Sequence, residues 1–314
     1  MAKYHRALRA CGIMAITPPA GPQDLDDGVF HLAAKQVCRP LAAPVGSRQP
    51  NDFRGRARFF EKEYSMRIKE ILALLEEHCP TALAESWDNV GLLIGDGEAE
   101  VTGVELALDV TGGVIDSALS HGANLIVTHH PVIFGGLHRL EAGSLPHRLA
   151  AEGLSVISMH TNLDIAQGGV NDCLAAAVGL GQLAPFRPDG LGRIGRLARP
   201  LAPAAFASQV KTALGAPGVR CTLGQGSVER VALCSGAMDG GMAEEAQALG
   251  ADALLTGECK YHEFLEAAHR GITLVAAGHF ATEQVVLPAL QALLEEAGVE
   301  RVFPSTQRDV EVFF

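Results

Sequence analysis

Three short segments of this 314-residue chain gather side chains that bind metals: Thr128-His129-His130-Pro131, His160-Thr161-Asn162-Leu163-Asp164 and Gly278-His279-Phe280-Ala281-Thr282-Glu283. Each follows an apolar run that reads as a strand. Neutral imidazole is a common ligand for zinc, iron, copper and nickel. Side chains alternate faces along a strand, so His129 and His130 can share a site only where the strand ends and the backbone turns. Pro131 is compatible with such an ending. Asp164 can offer two oxygens to a metal, although an aspartate here also serves as a helix cap. His160 reads as a ligand, a donor behind a ligand, a proton carrier or a structural histidine. His279 and Glu283 are four apart and can face one point on a helix. A capped helix start, with Glu283 favoured by the helix dipole, is the plainer reading of that pair. Taken together, His129, His130, His279, Asp164 and Glu283 exceed what one catalytic zinc uses and suit two divalent ions sharing a carboxylate. The all-nitrogen and oxygen donor set fits zinc, iron, manganese, cobalt or nickel better than copper(I) or an iron–sulfur cluster.

Other segments carry weaker signals. In Thr256-Gly257-Glu258-Cys259-Lys260-Tyr261-His262, Lys260 and His262 could contact a substrate or act as acid and base, or simply begin a helix. Glu85-Ser86-Trp87-Asp88-Asn89-Val90-Gly91 holds the single tryptophan and a turn signal, and reads as a pocket rim or a structural turn. No Gly-rich phosphate loop with a following Lys-Ser/Thr is present, nor a serine nucleophile elbow. The seven cysteines include no C-x-x-C pair. That argues against a disulfide framework and a thiolate zinc site, and a reducing cytoplasm is the expected compartment.

The elements that must position these residues follow from periodicity. Met66 to Glu77 is an amphipathic helix. From Val101 onward strands alternate with helices: Val104–Leu108, Leu125–Thr128 and Val156–Met159 as strands, Asp116–His121 and Val170–Val178 as helices. This alternation predicts an α/β fold with parallel pairing, mixed or parallel sheets flanked by helices, and a site at the carboxyl ends of strands. Pro288, inside the helical pattern Glu283–Leu294, must kink that helix or begin a second one.

The second half repeats the first. Gly122–Thr128 matches Gly250–Thr256 at a shift of 128, which carries Leu106–Leu108 onto Cys234–Gly236. The next strand matches at a shift of 119, setting His160 against His279 and Asp164 against Glu283. The predicted architecture is therefore a pseudo-repeat of two lobes, residues 66–185 and 186–314. Residues 1–65 differ in kind: rich in Pro, Arg and Ala, without sustained periodicity. They carry ten basic and six acidic residues, net +4, leaving fifteen basic and thirty acidic, net −15, in the remainder. We expect them to be a disordered extension or a mis-called start, dispensable for folding, with Met66 a sensible start. The acidic body disfavours nucleic acid, and an anionic substrate would need local compensation. No apolar run approaches the ~20 residues of a spanning helix, and the short apolar stretch near the N-terminus, followed by Pro18-Pro19, makes a poor secretory signal.

With Ser86-Trp87-Asp88-Asn89-Val90-Gly91-Leu92, Thr128-His129-His130-Pro131, His160–Asp164, Thr256-Gly257-Glu258 and Gly278–Glu283 in this order, the chain from Met66 to Phe314 resembles the GTP cyclohydrolase 1 type 2 homologs, the NIF3-like dinuclear metal centre proteins. The resemblance is to the short form, without an inserted PII-like domain. It implies two related lobes, a homohexameric ring, and two divalent ions: His130 and Asp164 on one, His129 and His279 on the other, Glu283 bridging. It implies a hydrolase that opens the purine ring of GTP and releases formate, a bound metal lowering the pKa of its water toward ~7. His160 or His262 would then carry protons. Another two-metal hydrolase, acting on a phosphoester or amide, and a non-enzymatic metal-binding scaffold are the alternatives. Two departures stand out: residues 1–65 have no counterpart, and His138 stands where many members carry a lysine.

Overall fold

The computed structural model describes residues 66–312, and the expectations for residues 1–65 lie outside the described residues. The first lobe runs α1 (Ile68–His78), β1 (Gly91–Ile94), β2 (Val104–Ala107), α2 (Gly112–His121), β3 (Leu125–Thr128), α3 (Leu145–Ala151), β4 (Ser155–Ser158), α4 (Thr161–Ile165) and α5 (Val170–Ala177). The second runs β5 (Leu180–Pro185), β6 (Arg193–Leu201), α6 (Pro203–Leu214), β7 (Arg220–Thr222), β8 (Val228–Ala237), α7 (Met242–Ala248), β9 (Ala253–Glu258), α8 (Tyr261–Arg270), β10 (Thr273–Ala276) and α9 (His279–Glu283). A 3-10 turn, Gln284–Val286, leads to α10 (Leu287–Glu296) and β11 (Val302–Pro304). Pro288 thus begins a second helix, in the first turn, where its missing N–H costs nothing.

The fold is α/β, with two mixed sheets flanked by helices, as expected. One sheet has the order β1-β4-β3-β2-β11, the other β5-β6-β8-β9-β10-β7. Within each, three consecutive strands pair in parallel, β2-β3-β4 and β8-β9-β10, and an antiparallel strand lies beyond the third, β1 or β7. Both faces of both sheets are covered, which is why the central strands read as continuous apolar runs. Alternation sorts their side chains. In the first sheet Leu106, Val127 and Ile157 pack with α1 and α10 around Ile71 and Leu290, while Ile126 and Val156 pack with α2 and α3 around Ile115 and Leu149. In the second, Leu233 and Leu255 meet Phe206 and Val210 of α6, while Leu254 and Leu274 meet Met242 and Ala246 of α7.

Sheet membership departs from the expected division at residue 185. β5 already belongs to the second sheet, and β11 returns to the first beside β2. α10 returns as well: Leu290 and Leu294 complete the core under α1. The chain therefore crosses back into the first lobe immediately after Glu283.

The ladders also correct the repeat alignment. Leu125 pairs with Val104, and its counterpart Ala253 pairs with Val231, so the first strands align at a shift of 127, not 128. Thr128 pairs with Ser158 and Thr256 with Ala276, so the third strands align at 118, not 119. His160 caps α4 and Gly278 caps α9. By position His160 therefore matches Gly278, and Asp164 matches Thr282. One residue of slip exchanges the faces of a strand, so the two His-x-x-x-carboxylate motifs are not equivalent in space.

Candidate metal centre

The site forms where strands of both lobes end. After β3 the hydroxyl of Thr128 donates to the carbonyl of His130 at 2.9 Å, and the amide of His130 donates to Leu108 O at 2.8 Å. This turn lets two adjacent histidines face one place. His129 is fully buried, and its Nδ1 donates to Met159 O at 2.9 Å, leaving Nε2 as the inward lone pair of the neutral ring. His130 is held the same way, with Nδ1 on Asp109 Oδ1 at 2.8 Å. His160 follows β4, its Nδ1 on Asp88 Oδ1 at 2.9 Å. Asp88 in turn accepts from the amide and hydroxyl of Thr161. From the second lobe, Gly278 takes φ +96, and α9 then carries His279 and Glu283 inward. His279 Nδ1 lies 3.5 Å from Glu258 Oε1.

Glu283 is the centre of the arrangement. Its Oε1 lies 3.1 Å from His279 Nε2 and 3.7 Å from His129 Nε2, and its Oε2 lies 3.1 Å from His130 Nε2. Asp164 Oδ1 lies 3.7 Å from His129 Nε2 and accepts from Ser235 Oγ of β8 at 3.2 Å. His129 Nε2 and Glu283 Oε2 are nevertheless buried without a hydrogen-bond partner; the 3.1 Å approach of His130 to Oε2 lacks hydrogen-bond alignment. Among the described residues the one other such side-chain atom is Glu105 Oε1 in β2. Orphaned buried acceptors are costly, and two such atoms in one cluster are what a cation could satisfy. Ligands about 2.0–2.2 Å from one ion stand roughly 3–3.5 Å apart; the 3.1 Å separations of Glu283 from His130 and His279 match that spacing, and the 3.7 Å separations around His129 are wider. Two ligand groups, His129/His130/His160 and His130/His279/Glu283, each have donor atoms within 4.8 Å of one another and could hold a metal ion.

The electrostatics agree. Burial opposes charge on His130, yet Asp109 and Glu283 push its pKa up to about 10. Burial likewise opposes charge on His129, but Asp164 and Glu283 raise it. Glu283 raises His279. Burial would neutralise Glu283, but the three imidazoles hold it well below the ordinary carboxylate range. Burial pushes Asp164 up. Without a metal, protons take up the negative potential that cations would otherwise satisfy.

Of the residues singled out from sequence, His129, His130, His160, Asp164, His279 and Glu283 converge here. His262 does not join either group; it is exposed on the first turn of α8. Sequence reasoning missed Asp109 and Glu258 as partners of His130 and His279, and Asp88 as the anchor of His160. Asp88 precedes β1, Asp109 follows β2 and Glu258 ends β9, places where a lone acidic residue looks like any cap or turn.

A cavity of about 660 Å³ opens on the His279 side, lined among others by Gly257, Glu258, Cys259, Lys260, Arg220 and Gly278. Burial pushes the Cys259 thiol up to about 11, which leaves it a poor nucleophile at neutral pH. No helix of the described residues is long and apolar enough to cross a membrane.

Residues 66–310 match the Duf34/NIF3 (NGG1p interacting factor 3) family. The chain is 34% identical over 232 residues to a "GTP cyclohydrolase 1 type 2 homolog" of Streptomyces coelicolor, covering 69% of this chain and 81% of the relative. It is 28% identical over 265 residues to a protein of the same name from Clostridium acetobutylicum, covering 79% and 98%. Among solved structures, a hypothetical protein of Staphylococcus aureus superposes with a TM-score of 0.73 at 30% identity, over 80% of this chain and 100% of the other.

Proposed function

For this chain, which belongs to the Duf34/NIF3 family, we propose a dinuclear divalent-metal centre and a metal-dependent hydrolase of the GTP cyclohydrolase 1 type 2 kind. The observation that carries the reading is Glu283, a buried carboxylate with each oxygen turned to a different imidazole and one oxygen orphaned. A carboxylate so placed suits a bridge between two ions. Oε1, facing His129 and His279, would serve one; Oε2, facing His130, would serve the other. Asp164 completes the set. It lies nearer His129 than the resemblance implies, so its pairing with His130 rests on the resemblance and not on distance.

Divalent ions held there would lower the pKa of a coordinated water toward about 7 and polarise a substrate. The chain's residues supply the rest. Met159 O and Asp109 fix which nitrogen of His129 and His130 faces inward, and such partners orient ligands and raise their basicity. His160, with Nδ1 held by Asp88, presents Nε2 to the same cluster and is positioned to carry a proton between substrate and solvent. His262, exposed on α8, is the weaker of the two proton carriers named from sequence. The names of the relatives direct the substrate reading to GTP, and ring opening with release of formate is what the resemblance read from the sequence implies.

The test follows formate release and the ultraviolet change of ring opening together, on full-length protein loaded with zinc, manganese or iron. We expect weak turnover, abolished by chelator and by His279→Ala. Phosphate release without formate would replace this reading with phosphoester hydrolysis. No turnover in protein holding two ions per subunit would replace it with a metal-binding scaffold.

A further inference from the structure

The cluster has two unlike ends. At the His160 end stand two exposed aromatic rings, Trp87 and Phe134, 61% and 56% accessible. Both meet the His160 ring edge-on, with centroids at 6.0 and 5.7 Å and interplanar angles of 75° and 88°. Their placement is built. Asp88 anchors His160 at one residue's remove from Trp87, and Asn89 Nδ2 donates to Ile133 O, tying the Trp87 turn to the loop that carries Phe134. A tripeptide that fixes a proton carrier and holds two large rings in water beside it is a stacking platform awaiting a flat partner.

At the His279 end lies the cavity, with Arg220 and Lys260 in its lining. Among the described residues neither enters an ion pair. Arg220 donates to Cys259 O at 3.2 Å and lies 5.3 Å over the Phe264 ring, which presents a guanidinium with further donors to spare. Glu258 and Glu311 also line the cavity. Glu258 is turned to His279, 3.5 Å from its Nδ1, while Glu311 shares the lining with the two cations. Between the ends, the rings run in contact: His160 to His130 at 5.5 Å and His130 to His279 at 5.3 Å between centroids.

We propose that Trp87 and Phe134 form a ring subsite and Arg220 and Lys260 an anion subsite, so that the centre takes a phosphorylated heteroaromatic molecule lying across the metal cluster. The placement across the cluster rests on the metal-centre reading above; the two subsites are tested apart from it. It assigns specificity to four residues that bind no metal. The heteroaromatic end lies by the proton carrier His160, and the phosphate end lies where the acidic body needs local positive charge.

Equilibrium dialysis of full-length protein, with metal content measured in every sample, separates the two ends. The probes are GTP, guanosine and inorganic triphosphate. Trp87→Leu and Phe134→Leu should weaken GTP and guanosine alike, by about tenfold each, and leave inorganic triphosphate unchanged. Arg220→Gln with Lys260→Gln should weaken GTP and inorganic triphosphate by at least about tenfold and leave guanosine unchanged; Arg220→Lys with Lys260→Arg should recover part of it. All variants should keep the metal content of the parent. Equal losses across all three probes for either pair, or no loss for either, would overturn the proposal. Absence of metal from the parent protein, with the split between probes intact, would sink the metal-centre reading and leave the polarity standing.

Discussion

The first lobe follows β3 with His129-His130, whereas the second ends its counterpart β9 in Gly257-Glu258. Past β2 the first lobe places Asp109 behind His130; counting on from the aligned ladders, the second lobe has Gly236 at that position. The glycines are there for room. A Cβ on Gly236 would collide with Glu283 Oε1, and one on Gly257 would sit 2.7 Å from Thr282 Oγ1 and 3.0 Å from His279 Cα. One copy of the unit thus supplies the candidate ligands His129 and His130 just past a strand and Asp164 from the helix Thr161–Ile165. The other clears space at the corresponding strand ends and delivers His279 and Glu283 from the helix that follows. The two copies divide the candidate ligands unequally.

The sharpest way to break this comparison is to remove the second lobe's contribution. Glu283→Ala should cost most of the bound metal, whereas Asp164→Ala should retain about one ion per subunit, because a bridging carboxylate touches both ions. Equal loss of a single ion in both variants, by elemental analysis, would contradict the bridge. Next comes the space itself. Gly236 has φ +64, so Gly236→Ala adds a strain of about 1–2 kcal/mol to the collision with Glu283. We expect lower thermal stability and a metal affinity reduced at least tenfold; a variant with the parent's affinity would show that the glycine is not there for Glu283.

Smaller effects sharpen the contrast between the histidine partners. Asp109→Ala removes the 2.8 Å partner of His130 and should lower metal affinity about 10–100-fold. Glu258→Ala removes a half-exposed carboxylate 3.5 Å from His279 and should matter less, under about tenfold. The reverse order in a competition titration with a chelating dye would overturn the ranking. The last of these effects is on pH. In metal-free protein His130 has a folded pKa raised to about 10. Its contribution to stability is therefore complete below the unfolded value of about 6.5 and is lost as pH rises through about 10. Calorimetry of stripped protein should show stability falling across that window, with the metal-loaded protein flatter and its metal affinity rising, since protons must leave for ions to bind. A stripped protein equally stable at both ends of the window would refute this.

Much of the site was legible because its chemistry is dense. Adjacent histidines after an apolar strand, and His279 with Glu283 one helical turn apart, have few other uses in combination. The repeat was legible as a succession of strands but not in its register. Gly-Ala before an apolar run aligns well by composition, and only the ladders reveal shifts of 127 and 118 where similarity suggests 128 and 119. The second copy sets its histidine one residue later: Gly278 stands at the position of His160, and its positive φ lets the chain turn before His279. Lobe membership was partly hidden for a similar reason: α10 and β11 are apolar segments that either core could bury, and only the crossing after Glu283 assigns them to the first. Asp109 and Asp88 were illegible as partners because a single aspartate at a strand end or turn satisfies many local needs.

The central claim is that Glu283 bridges two ions held between the lobes. Anomalous diffraction from crystals of the full-length protein, purified without chelators, tests it directly. The account expects two peaks, about 3.5–4 Å apart, flanking the Glu283 carboxylate, with His129 and His279 about one and His130 about the other. A single peak, or peaks away from Glu283, would contradict it.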